Sequence, residues 1–287
     1  MTAVAAPVAV APRRNVRWTL FERISLAILS ALIFVVIFGP LLAPDNPYAT
    51  VGIPYSSPSH HLWLGTDDIG RDVLSRMLYG GQSVLLLALT ATAAAYVVGG
   101  IIGLVAGFTR SLADPVLMRI MDIILAFPPI LFLLVLATDA GHSLVALGIG
   151  VALVHVPGIS RIIRTASLEV SVRGFVESAI ARGEPIRRIL ALDIVPNIRR
   201  VIVADAGPRF TVSILLVAGV SFLGLGQRPP AANWALMINE NRDGLFLNPW
   251  ASIGPALVIA LLTISVNVLA DGLVRRQGGA DMQRQRP

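Results

Sequence analysis

Cysteine and lysine are both absent from this 287-residue chain. Without cysteine there is no disulfide, no thiolate metal site and no cysteine nucleophile. Without lysine there is no P-loop, because that loop needs its lysine to reach the β- and γ-phosphates. If ATP drives what this protein does, another polypeptide binds the ATP. Charge is also scarce: 14% of residues are charged, against about 25% in soluble domains. Only four histidines occur. No GxSxG elbow accompanies them, so a Ser/His/Asp hydrolase has no anchor.

Apolar residues fill the space, at 55% of the chain and a mean hydropathy of +0.75. A bilayer core is crossed by roughly 20 helical residues, and several runs reach that length. The expected fold is all-α, a polytopic membrane protein with six transmembrane helices. Residues 1–19 form an N-terminal tail. Residues 20–83 hold the first span, Leu20 to Leu42, and a proline-rich loop. From Arg71 onward, Val73, Leu74, Met77 and Leu78 recur at helical spacing, which predicts a short amphipathic surface helix before the second span. The first span is too long for a signal-peptide core and is read as retained.

Residues 84–274 form the main membrane unit. Span two covers about Val84 to Phe108, with Gly99, Gly100, Gly103 and Gly107 allowing close helix approach. Span three, about Val116 to Thr138, carries Pro128 and Pro129, which should kink it. Span four is about Leu144 to Ile159, span five about Phe210 to Leu225 and span six about Ile253 to Leu273. The glycines of SFLGLG are expected to mark a helix end, and Trp234 and Trp250 suit a membrane interface. A basic tail spans 275–287.

All 23 basic residues are arginine, and the net charge is +6. Nucleic-acid binding is the first thought for a basic chain, but these arginines flank apolar runs, where they set topology. All but Arg71, Arg76, Arg228 and Arg242 fall on one side of a six-span arrangement. The positive-inside rule then places both termini and the 161–209 loop in the cytosol.

That loop is punctuated like a folded unit. Val172 to Arg182 suits a helix, Gly183 can supply the left-handed turn that ends it, and Pro185 can open a second helix that Pro196 stops. Polar groups inside spans are functional candidates. Asp122 is the deep one, and Arg119, three residues before it, is its expected partner. Asp139, Asn267 and Asp271 lie nearer helix ends, and His155 is read as a hydrogen-bonded bundle histidine. His60 and His61 lack a third ligand at metal spacing.

Glu177-Ser178-Ala179, then Gly183, then Ile194-Val195-Pro196 resembles the EAA motif of ABC importer permeases, with Ser178 and Val195 as departures. LGTDDIGRDVLSRMLYG (Leu64 to Gly80), DPVLMRIMDIILAFP (Asp114 to Pro128), SFLGLGQRPPAANW (Ser221 to Trp234) and NVLADGLVR (Asn267 to Arg275) resemble the second permease of the dipeptide, oligopeptide and nickel group. The resemblance runs from about Leu20 onward. It implies a type I ABC importer permease fold in the bacterial inner membrane. It also implies a homologous permease, two ABC ATPase subunits that bind ATP and Mg, and an extracytoplasmic binding protein; no nucleic acid and no cofactor on this chain are expected. On that reading Glu177, Ser178, Ala179, Gly183, Glu184, Pro185, Ile194 and Pro196 couple to the ATPase, and Asp122, Pro128 and Pro129 shape the path. Peptides are the expected cargo. A nickel chelate or haem is the alternative within the group. Outside it stand a proton-coupled transporter and a membrane scaffold that moves nothing.

Overall fold

The computed structural model describes residues 18–109 and 113–284, with the backbone alone for Ala113 and 277–284. Among the described residues it is helical, with two isolated β-bridges, Thr50 to Arg71 and Thr66 to Asp72. The helices are α1 Leu20–Leu42, α2 Val73–Thr109, α3 Ala113–Leu125, α4 Pro129–Asp139, α5 Leu144–Ser171, α6 Gly174–Ala181, α7 Ile186–Arg188, α8 Val195–Phe222, α9 Trp234–Asn241 and α10 Trp250–Arg284. A π-helical turn, Ile189–Ile194, joins α7 to α8. Five helices are long and apolar enough to cross a membrane, or six if α3 and α4, bent by 80° at their break, count as one span.

Local chemistry starts these helices. Thr19 and Glu22 form a capping box on α1. Asp72 accepts the Ser75 amide at the head of α2, Ser143 caps α5 and Asn233 caps α9. Gly224, at φ +77°, closes α8 with the Leu225 amide donating to Val220 and its own to Ser221, the helix end expected of SFLGLG.

Glycine sets the central contact. A Cβ at Gly99, Gly103 or Gly107 would stand 2.9, 2.6 or 2.6 Å from the carbonyl oxygens of Val156, Ser160 and Arg164. Three glycines at four-residue spacing thus let α2 and α5 run parallel with their backbones nearly touching. Gly100 is looser, with only Ile163 within reach. Helix α8 runs antiparallel to both, and α10 antiparallel to α8, where Gly207 faces Ala270. Helix α1 is clasped to the outside of α10. Glu22 takes Arg275 at 2.9 Å and Arg276 at 3.0 Å, and Arg276 lies 3.5 Å over the Trp18 ring.

Several expectations are corrected. The amphipathic stretch from Arg71 is no separate surface helix: it is the first turns of the 37-residue α2, and Val73, Ser75 and Arg76 are buried. The Pro128-Pro129 kink is a full break, with α3 and α4 bent by 80°. Pro129 lacks a donor and opens α4, while Pro128 precedes it as N-cap. Span four does not stop at Ile159. Ser160, Ile163, Ser167 and Val170 continue the buried face of α5 to Ser171, because hydropathy reports lipid contact while helicity continues past it. Pro196 does not stop a helix but stands in the first turn of α8, where a missing N–H costs nothing. Asp205 and Pro208 therefore lie inside α8. Trp234 is not at a membrane interface: it is buried against Gly80 and Gly81 and donates to the Met77 carbonyl at 2.7 Å. The link between spans two and three and the two tails fall partly outside the described residues.

Candidate functional site

Two short helical pieces between α5 and α8 form a knob at the end of the bundle that also holds Glu22. Helix α6 begins where the Arg173 carbonyl accepts the amides of Val176 and Glu177. It ends in a Schellman turn: Gly183, at φ +72°, donates to Ile180 at 2.9 Å, and Glu184 donates to Ala179 at 3.2 Å. A side chain at Gly183 would meet nothing within 4 Å, so glycine is needed there for its backbone alone. Pro185 is the N-cap of α7, one residue ahead of the expected first helical position, and its carbonyl accepts from Arg188 and Ile189.

The knob has its own apolar centre. Val176, Ala179, Ile189 and Ile194 are buried in the core that also contains Val170 of α5 and Ile198 of α8. The sequence-predicted residues therefore divide. Ala179 and Ile194 build the knob, and Gly183 turns it. Glu177 and Ser178 face outward, with the Ser178 hydroxyl donating to the Gly174 carbonyl at 2.8 Å. Glu184 binds Arg182 at 2.8 Å and Arg188 at 3.5 Å. The Arg182 hydrogen bond, against some desolvation, holds its carboxyl below the usual carboxylate range. Pro196 is exposed at the head of α8. Around the outward residues stand Phe175, Ile180, Ile186 and Leu192, all exposed apolar side chains. Clusters of this kind, rimmed by arginine, mark surfaces that meet a partner.

The expected path residues are scattered along α3 and α4. Asp122 does not pair with Arg119. Its partner is Arg161 on α5, and both are about half exposed, at 46% and 50%. The preference for a partner three residues away loses to a facing helix, because α3 packs on α5 and brings Arg161 closer. Asp114 holds Arg164 in a second, bidentate pair between the same helices. Pro129 lines an apolar cavity of about 230 Å³ beside the break, with Ile123, Phe127 and Phe132.

At the opposite end lies a charge cluster with no assigned role in the sequence reading. Arg71 and Arg76 are buried and share Asp67, at 2.6 and 2.5 Å. Arg76 also reaches Glu240 on α9 at 2.8 Å, and Arg71 reaches Asp68. Burial pushes the Glu240 carboxyl up, against the pull of Arg76 and Arg71. Asn248 donates to the carbonyls of Leu64 and Thr66 at 2.9 Å each. Together these contacts bind the 45–72 loop to the segment after α8. The available signal was charge density: LGTDDIGRD packs four charges into a chain poor in them.

A helical bundle of five or six spans with a folded knob between two of them is the build of a transporter's membrane subunit. The family model described as "Binding-protein-dependent transport system inner membrane component" matches residues 99–278. The chain belongs to that family. A putative peptide permease protein of Brucella abortus biovar 1 is 36% identical over 251 residues, 86% of this chain and 83% of that protein. A dipeptide transport system permease protein of Alkalihalophilus pseudofirmus is 34% identical over 255 residues, 87% of this chain and 83% of that protein. A di/tripeptide transport system permease protein of Pseudomonas aeruginosa is 32% identical over 249 residues, 84% and 82% of the two chains. In fold, the chain is similar to the MetNI methionine ABC transporter in an inward-facing conformation, at a TM-score of 0.55 and 18% identity over 71% of this chain and 95% of that one.

Proposed function

We propose that this chain is one of two membrane subunits of an ATP-driven importer of peptides. The reading is carried by relatives named as peptide, dipeptide and di/tripeptide permeases that align along more than four fifths of it. A homologous permease, two ABC ATPases and an extracytoplasmic binding protein complete the assembly. ATP and Mg sit on the ATPases, consistent with a chain that has no lysine for a P-loop. The membrane is the bacterial inner membrane. The arginine count supports an orientation with both termini and the knob in the cytosol.

On this reading the knob docks on an ATPase subunit through Glu177, Ser178 and the apolar side chains beside them. Ala179, Gly183, Glu184, Pro185, Ile194 and Pro196 hold its shape. The mechanics follow from its attachments. Two residues separate α6 from α5, and the π-helical turn runs directly into α8. The shared core of Val170, Val176, Ala179, Ile189, Ile194 and Ile198 makes the joint stiff. A displacement of the knob by closing ATPases therefore tilts α5 and α8 together. Asp122, Pro128 and Pro129 lie where the broken span meets α5, so the tilt changes the path at that break.

The test is uptake of a labelled dipeptide by proteoliposomes holding the full assembly. ATP-dependent uptake that also needs the binding protein is expected. Uptake driven by a proton gradient with no ATPase present overturns the ABC reading. Uptake of a nickel chelate or haem in place of peptide overturns the cargo alone.

A further inference from the structure

Midway along the bundle is a polar cluster that the knob does not use. By sequence Arg209 belongs to the arginines expected in the cytosol. The structure puts it at the midpoint of the 28-residue α8, facing Gly158 at the midpoint of the 28-residue α5. At 1.5 Å per residue each lies roughly 20 Å from either helix end. Arg209 Nε donates to both carboxylate oxygens of Asp205, one turn earlier, at 3.2 Å. Asp205 also accepts the Tyr96 hydroxyl of α2 at 2.7 Å. The guanidinium occupies the space a side chain at Gly158 would need, since a Cβ there would be 2.5 Å from Nη2 and 2.7 Å from Nη1. Next to it, His155, Ser213 and Thr92 complete a buried hydrogen-bonded chain.

Three helices thus orient one guanidinium, yet most of its donors are unspent. A guanidinium carries five N–H groups. Nε uses one, and among the described residues Nη1 and Nη2 take no hydrogen bond. The side chain is 24% exposed, and neither nitrogen is enclosed. Arg209 directly precedes the apolar run 210–225, and a charge at or within a span turns to a bundle interior or a watery cavity rather than to lipid. A planar fork of open donors matches a carboxylate in bidentate geometry.

We propose that Arg209 is the point on this subunit's half of the path that receives a carboxylate of the cargo. The proposal rests on the peptide reading above. A linear peptide has a C-terminal carboxylate whatever its side chains, so one oriented arginine serves cargo of varied sequence. Asp205 and Tyr96 are positioning residues that aim the fork, and Gly158 leaves room for it.

The test compares alanyl-alanine with its C-terminal amide in the complete reconstituted assembly. The binding protein's affinity for each is measured first, so that uptake is read at equal occupancy. The wild type is expected to take up the acid about tenfold faster than the amide. Arg209→Gln lowers acid uptake to the amide's rate and leaves amide uptake and binding-protein-stimulated ATP hydrolysis within about twofold, while Arg209→Lys is intermediate. If Arg209→Gln does not assemble, Gly158→Ala gives the decision, because it keeps both charges and displaces the fork; acid-selective loss is again expected. The chain has no cysteine, so Arg209→Cys labelled with an anionic thiol reagent reports water access at this position. No labelling in the assembled transporter, or equal loss of acid and amide uptake, overturns the proposal in favour of a carboxylate of the second permease. A wild type that moves neither peptide overturns the peptide reading and this proposal with it. One that moves alanyl-alanine without dependence on Arg209 overturns the carboxylate site alone.

Discussion

Gly103 and Ser160 bring two helix backbones together: a Cβ on Gly103 would stand 2.6 Å from the Ser160 carbonyl oxygen. The obstacle is backbone, which cannot turn aside as a side chain can. Gly103→Leu should therefore separate α2 from α5 and cost about 1–3 kcal/mol or more. Gly100→Leu, which would meet only the end of Ile163, should cost clearly less. Thermal unfolding of the detergent-purified protein measures both, and equal shifts would refute the ridge.

The knob separates residues that shape it from residues that face outward. Ala179→Arg should collapse it, because Ala179 is buried among Val176, Ile189 and Ile194. Glu177→Arg should leave it folded, since Glu177 is exposed. Protease sensitivity of the 172–195 segment checks the first difference. Transport-coupled ATP hydrolysis checks the second, and both variants should lose it. Normal coupling in Glu177→Arg would remove Glu177 from the docking surface.

Gly183 is held at φ +72° with open space around it. Gly183→Ala should thus cost about 1 kcal/mol by backbone strain alone. Gly183→Pro should be far worse, because proline locks φ near −65°. A helix-end disruption confined to α6, read by hydrogen exchange, is expected for the proline variant. Equal exchange in both variants would contradict this account.

Arg76 satisfies Asp67 and Glu240 at once, with its own side chain fully buried. Arg76→Ala leaves Asp67 and Glu240 with Arg71 as their remaining arginine, at 2.6 and 3.3 Å, and should cost about 1–3 kcal/mol. Adding Glu240→Gln should recover part of the loss, because the carboxyl then held only by Arg71 at 3.3 Å is no longer charged. An unchanged melting temperature in Arg76→Ala would show that the cap is held by other contacts.

Glu184 responds to acid in a calculable direction. Its carboxyl is held low chiefly by the Arg182 hydrogen bond. A group shifted this way contributes stability above its unfolded value, near 4.5, and loses it as pH falls through the lower folded value. The knob should thus keep this contact at neutral pH and through the upper carboxylate range. In selectively labelled protein, the carboxyl carbon shift of Glu184 should inflect below 4.5, and Arg182→Gln should raise the inflection. An inflection that ignores Arg182→Gln would refute the pairing.

Class, the approximate positions of the spans and the glycine contact were legible in residue order, because each depends on local pattern. Leu20–Leu42 matched its apolar run, and Gly99, Gly103 and Gly107 lie at the spacing that packs helices. The punctuation of the knob was legible too, since Gly183 ends a helix wherever it occurs. The errors came from reading hydropathy as helix length. Ser160 to Ser171 and Val195 to Arg209 are polar enough to end an apolar run, and yet they continue α5 and α8.

The amino-acid sequence by itself determined that the chain is a multi-pass membrane protein, that it has no lysine to offer a phosphate loop and that a turn falls at Gly183. Those properties follow from composition and from the conformations single residues allow. Only the tertiary structure decided which charges meet. Arg161 rather than Arg119 pairs with Asp122, and Arg76 reaches Glu240 across 164 positions of chain. Arg209 is oriented by Asp205 against a glycine of another helix. Charged side chains pair by distance in space, and helix packing sets that distance without regard to separation along the chain.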